Sequence, residues 1–278
     1  MGDPFPRLSL FLGPQSGHAL AINLAVRNQR PAMIRAGLAA YPTRLASPAL
    51  RALADPNRTR DERREAFMAL SGEKPAFYSA LNFLGSPNKG FRSSDLFPEA
   101  SVLLDHLAEV AGDTRFRVIL APDALPDLFL ATESETVREQ IRNTSWEHLF
   151  EVSWAELVAE IRVALPAADL VVLTHAGVAL GGTVLAAHLF GPAADVVEPR
   201  LFLSESLNVT GQAVLDRMGE GMPTDEVARD LYRSFARRVD QTACREALGM
   251  DRLTLKLMMQ RFDEDLGEIA AMDRVEVL

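Results

Sequence analysis

The 278-residue chain is 48% hydrophobic and 24% charged, with mean hydropathy near zero, the composition of a globular protein able to bury a sizeable core. A net charge of −9 offers no basic face to displace counterions, which excludes nucleic acid as the main partner and disfavours polyanions without a local basic pocket. The single cysteine, Cys244, excludes an intrachain disulfide and a thiolate zinc cluster, and its helical surroundings suit a small apolar filler.

The chain opens on an apolar run at residues 8–12 that reads as a buried strand. The run is too short to span a membrane. The start MGDPFPRLSLFLG lacks a long apolar segment leading to a small-residue cleavage site, and Pro6 breaks the myristoylation pattern. The expectation is a cytoplasmic protein with no membrane partner. After the strand, Gly13-Pro14-Gln15-Ser16-Gly17-His18 forms a glycine-bearing turn into an apolar helical pattern. Strand, turn and helix in that order aim backbone N–H groups and a helix dipole at an anion, usually a phosphate. The spacing alone, Gly-x-x-x-Gly, is equally that of an ordinary βα turn, and a lone histidine at a helix start reads as structural or solvent-facing.

Helical spacing over 19–30 stops before Pro31, and 32–40 reads as a further turn or two of helix. A polar, Pro- and Arg-rich stretch covers 43–64, its charges passing into an exposed helix face over Phe67, Met68 and Leu70. Residues 77–84 are the second strand, followed by a polar loop at 88–97. A helix at 99–111 closes on Gly112, 116–121 is the third strand, and a helix begins at 123 with an acidic first turn. A helix at 154–165 and the strand 169–174 follow. Strands and helices alternating at these lengths predict one α/β domain over 1–278, with a mainly parallel sheet covered on both faces. From about 181 the pattern is helical (182–190, 207–218, 224–238 and 253–269), with 275–278 a candidate terminal strand.

In this order the elements resemble the bacterial sulfotransferase-like family, whose fold is related to P-loop nucleotide-binding proteins. The resemblance rests on several stretches: the opening strand–turn–helix, NFLGSPNKGF followed by LFPEA, VILAPDALPDLF, the run SWAELVAEIRVALPAADLVVLTHAGV, and the helical LFLSESLNVTGQAVLDRM and RFDEDLGEIAAMDRVEVL. It implies a P-loop/sulfotransferase-like fold and transfer of a sulfuryl group from 3′-phosphoadenosine 5′-phosphosulfate to a carbohydrate or small-molecule acceptor.

It also implies a donor loop Gly-x-x-Lys-x-Gly-Thr-Thr, and here the chain departs from it. Gly13 and Gly17 match the glycines, Gln15 and Ser16 stand where the lysine is expected, and His18 and Ala19 replace the hydroxyl pair. Sulfuryl transfer spreads charge over its oxygens and needs a cation there, which Gln15 cannot supply. Leu81 takes the place of the family's acidic residue and cannot accept a proton, Ala121 that of an arginine on the 3′-phosphate, and Asp127 that of its serine partner.

Four departures in four functional places favour a non-catalytic relative that binds a glycan or protein. The alternatives are an active transferase rebuilt with a distant arginine, and one using a less phosphorylated donor. Outside the loop, His175 at the end of the fourth strand lies where α/β ligands bind, though it also suits a polar strand end. Lys89, Arg92, Arg115 and Arg117 are the expected basic rim. His106, His148 and His188 share no ligand spacing, so no metal site is expected. Ser204-Glu205-Ser206 reads as a helix N-cap region, and Asp263, Glu264, Asp265 and Glu268 as a solvated face.

Overall fold

A computed structural model of the chain describes residues 5–14, 17–85, 97, 100–130, 139, 142, 150–238 and 240–278. Six parallel strands form one sheet: β1 (Leu8–Gly13), β2 (Ala39–Tyr41), β3 (Ala76–Leu81), β4 (Arg117–Leu120), β5 (Asp169–Val172) and β6 (Val275–Val277). Their spatial order is β2-β3-β1-β4-β5-β6. The α/β class with a parallel sheet is therefore as expected. The chain leaves β1 toward one edge and β4 toward the other, so the strand order reverses direction between them. Ligands of open α/β sheets bind at such a reversal, beyond the carboxyl ends of the strands.

The helices are α1 (Gly17–Arg35), α2 (Thr43–Ala54), α3 (Arg60–Ser71), α4 (Ala100–Ala111), α5 (Leu125–Leu130), α6 (Trp154–Ala164) and α7 (His175–Leu180). Then come α8 (Gly182–Phe190), α9 (Pro199–Ser206), α10 (Val209–Arg217), α11 (Asp225–Phe235), α12 (Gln241–Leu248) and α13 (Arg252–Ala270). Strand side chains alternate between two cores. Leu8, Leu10 and Leu12 of β1 face the layer holding α2, α3, α4, α6 and α13. Phe11 with Phe77, Ile119 and Val171 faces α1, α8 and α9. Burial on both faces is why these strands read as continuous apolar runs. The C-terminal helices divide over the two faces, with α8 and α9 on one and α12 and α13 on the other, before β6 re-enters the sheet. No helix among the described residues is long and apolar enough to cross a membrane.

Three sequence expectations change. The first helix does not stop before Pro31 but runs to Arg35. Arg27, whose carbonyl loses its N–H partner to the proline, is exposed and can be hydrated, while Val26 and Met33 stay buried. Residues 39–41 form a strand rather than a helical turn. Gly37, at φ +97°, lets the chain reverse, and Leu38 N–H caps α1 by donating to Met33 O at 3.0 Å. Residues 43–54 of the polar stretch are the amphipathic helix α2.

Candidate functional site

Four elements end or begin at the β1/β4 reversal, and each delivers a titratable side chain. His18 is the second residue of α1, whose start at Gly17 is separated by only three residues from the end of β1 at Gly13. Gly13 leaves the strand at φ +150°, a conformation that favours glycine. Its carbonyl accepts from the N–H of Asn82, which sits in the left-handed region at φ +61° and ties the end of β3 to that of β1. Gln15 and Ser16 lie outside the described residues, and Pro14 has no N–H to offer an anion.

The His18 side chain is fully buried, with Nδ1 3.6 Å from Asp123 Oδ2, and neither ring nitrogen has a hydrogen-bond partner among the described residues. It is therefore part of a polar cluster, not a solvent-facing residue. Asp123 follows β4. Its carboxylate accepts from Ala124 N–H at 3.1 Å, and its carbonyl accepts from the Trp154 indole N–H at 2.9 Å. Trp154 is itself buried, so this bond pins the Asp123 backbone to the first turn of α6.

His175 opens α7 just beyond β5. Its ring stands edge-on to that of His18, centroids 5.4 Å apart, and its Nδ1 lies 2.7 Å from the Tyr232 hydroxyl on α11. His175 is thus half-buried and held by Tyr232 beside His18, rather than a polar residue that merely closes a strand. Asp127, in the first turn of α5, faces the same space.

The environment separates these groups by proton affinity. Burial raises the Asp123 carboxyl, but His18, His175 and the Ala124 N–H outweigh it and hold it below the ordinary carboxylate range. Burial, and then the charge of Asp123, push the Asp127 carboxyl up to about 7. Burial, then His18 and Arg237, push the His175 ring down to about 4. Burial raises the Tyr232 phenol. Near neutrality the cluster thus holds an ionised Asp123, an Asp127 that can carry or release a proton, a neutral imidazole at His175 and a neutral phenol.

Asp123, Asp127 and His175 border an open cavity of about 830 Å³, within the range of small-molecule sites, with His18 and Tyr232 behind them. Its cations come from the C-terminal third: Arg237 and Arg238 after α11, and Arg252 and Lys256 on α13. The two arginines are positioned by an extended pairing, in which Leu207 bridges Ala236 antiparallel and Arg237 N–H donates to Ser206 O at 2.8 Å. Two residues of the expected basic rim lie elsewhere. Arg115 and Arg117 sit at the opposite, amino-terminal end of β4, where Arg115 pairs with Asp169 and Arg117 donates to His188 O. Lys89, Arg92 and His148 lie outside the described residues.

Comparison of the chain with family models, curated proteins and solved structures finds no match. The fit of the sulfuryl donor therefore rests on the residues themselves, and those in the implied positions do not fit it. Leu81 and Ala121 are buried in the core beneath α1, and the His18 ring turns toward Asp123. Asp127, by contrast, does face the cavity.

Two other expectations change, those for Asp265 and for Ser204–Ser206. Asp265 is buried, accepting from Ser153 Oγ at 2.7 Å and Trp154 N–H at 2.8 Å, whereas Asp263, Glu264 and Glu268 are exposed. Ser204–Ser206 ends α9, and Asn208 is the N-cap of the next helix. Cys244 is buried, its thiol pushed up to about 12 by burial, as suits an inert filler. No group of three or more His, Cys, Asp or Glu among the described residues is placed to hold a metal ion. Sequence reasoning missed Tyr232, Arg237 and Arg238, whose neighbours are those of an ordinary helix end. Asp123 carried one usable signal, its place just past a parallel strand.

Proposed function

We propose that the protein is an enzyme that binds an anionic small molecule at the carboxyl edge of the sheet and exchanges a proton with it. The observation that carries this reading is the pair Asp123 and Asp127, two carboxyls on one cavity whose surroundings drive their proton affinities apart. Such a separation supplies one group that stays charged and another that can donate or accept a proton near neutrality. Asp127 is the acid or base in this reading. His175, oriented by Tyr232, is a neutral partner able to accept a proton, and Arg237 and Arg238 hold the anionic group.

The test is calorimetric titration at neutral pH with phenyl sulfate, whose charge does not change there, in buffers of different ionisation enthalpy. A bound anion stabilises the protonated form of Asp127, so binding is expected to take up a proton from buffer, and the uptake to vanish in Asp127→Asn. Uptake that survives this substitution removes Asp127 as the titrating group. Binding without uptake favours a non-catalytic binding protein.

Sulfuryl transfer, the activity the resemblance implies, is a second reading. It is favoured by the two arginines that reach the cleft, cations that the described β1–α1 turn does not supply. It predicts micromolar binding of adenosine 3′,5′-bisphosphate at low salt. No binding, with phenyl sulfate still bound, eliminates it.

A further inference from the structure

One wall of the cavity is formed by a face of α13, which packs against the Asp127-bearing α5. Arg252, Leu255, Lys256, Met259 and Phe262 recur at three- and four-residue spacing and all line the cavity. This face spans about 15 Å at 1.5 Å per residue. The two cations occupy its first turns, and the later positions are apolar. Leu130 of α5 and Leu20 of α1 extend the apolar surface. Leu20 is 37% exposed, although it belongs to a helix whose inner face is fully buried.

The polar side chains of the lining are almost all charged, with Gln241 the one neutral amide among the described lining residues. A nucleobase is recognised by hydrogen bonds to its edges, which need amide, hydroxyl or backbone groups in register. A charged head on an apolar body finds both parts here: the cations Arg237 and Arg238, with the Asp240 carboxylate also on the lining, and the apolar side chains of α13.

We infer that the ligand of this cleft is an amphipathic anion, an alkyl or aryl sulfate, phosphate or carboxylate, with its head at Arg237 and Arg238 and its body along Leu255, Met259 and Phe262. This inference rests on the reading of the cleft as an anion site and names the ligand class for it. Asp127 and His175 line the same cavity as this head site, and the body lies along the helix toward Phe262, which neighbours Trp154.

The experiment is a calorimetric series with ethyl, butyl, hexyl and octyl sulfate below their micellar concentrations, with inorganic sulfate and adenosine 3′,5′-bisphosphate as comparators. Full burial of a methylene strengthens binding roughly fourfold, so affinity is expected to rise by about two- to fourfold per methylene. Arg237→Gln is expected to weaken every member about equally, by roughly tenfold. Met259→Gln, which conserves volume at a half-buried position, and Leu20→Gln are expected to flatten the dependence on chain length while leaving ethyl sulfate unchanged. Thermal melting verifies that each variant is folded.

Affinity independent of chain length, with the head group still bound, overturns the ligand class and leaves the anion site standing. Tighter binding of the bisphosphate than of octyl sulfate does the same in favour of a nucleotide. No binding of any anion to the folded protein overturns both the class and the site.

Discussion

Replacing Asp127 by asparagine removes a charge that the cleft disfavours, and the effect on stability has a definite sign. Burial and Asp123 raise this carboxyl from its ordinary 3.8 to about 7. Between those values the folded chain keeps a proton that the unfolded chain has released. Stability is therefore lost as pH rises through this window, because there the native state binds more protons than the unfolded state. At 1.36 kcal/mol per pH unit the full loss is on the order of 4 kcal/mol, reached above neutrality. Asparagine has nearly the shape of the protonated acid and no charge at any pH. Asp127→Asn is accordingly expected to exceed the wild type by about 2–4 kcal/mol near pH 8 and to approach it near pH 4. Urea unfolding at a series of pH values, followed by circular dichroism, measures the gap directly. A gap that stays constant with pH would refute the argument and, with it, the place of Asp127 as the proton carrier.

The remaining predictions concern groups on or behind the same cleft. His175 has the opposite sign: its ring is lowered from 6.5 to about 4 by burial and then by His18 and Arg237, so stability is lost as pH falls through that window. His175→Gln should remove an acid-side slope worth on the order of 3 kcal/mol, and an unchanged slope in the same unfolding series would contradict it. Asp265→Ala leaves Ser153 Oγ–H and Trp154 N–H without their acceptor and Arg261 without the carboxylate 3.3 Å away. It should cost about 3–5 kcal/mol by urea unfolding, whereas a loss below about 1 kcal/mol would mean that α6 and α13 are joined by packing alone. A methyl group at Gly177 would overlap the Leu278 backbone beside β6. Gly177→Ala should destabilise by about 1–3 kcal/mol and speed amide exchange at residues 275–278, and unchanged exchange there would count against the close approach.

The layered α/β architecture was legible because its cause is local. β1, β3, β4 and β5 are buried on both faces, which demands short unbroken apolar runs, and the long helices α4, α6 and α13 show the apolar recurrence of a half-buried helix. β2 escaped this reading because three residues at a sheet edge, followed by Pro42, carry too little pattern. The continuation of α1 through Pro31 also depended on tertiary packing, since buried residues on either side hold the helix together where local preference would end it.

The site divides along the same line. The sequence by itself determined where the sheet would present a cleft, because strand ends are marked by Gly13, Pro122 and Thr174, and it placed a histidine or an acid beside each. Only the tertiary structure decided which of those side chains meet. His18 and Asp123 are 105 residues apart, and Asp123 and His175 another 52, yet β1, β4 and β5 are hydrogen-bonded neighbours, so residues just past their ends converge. Arg237 and Arg238 arrive from beyond the sheet through the pairing with 206–208. The proton affinities that give the cluster its chemistry were further still from the sequence. They arise from burial and from charges brought close by folding, and neither acts on a side chain until the chain has closed around it.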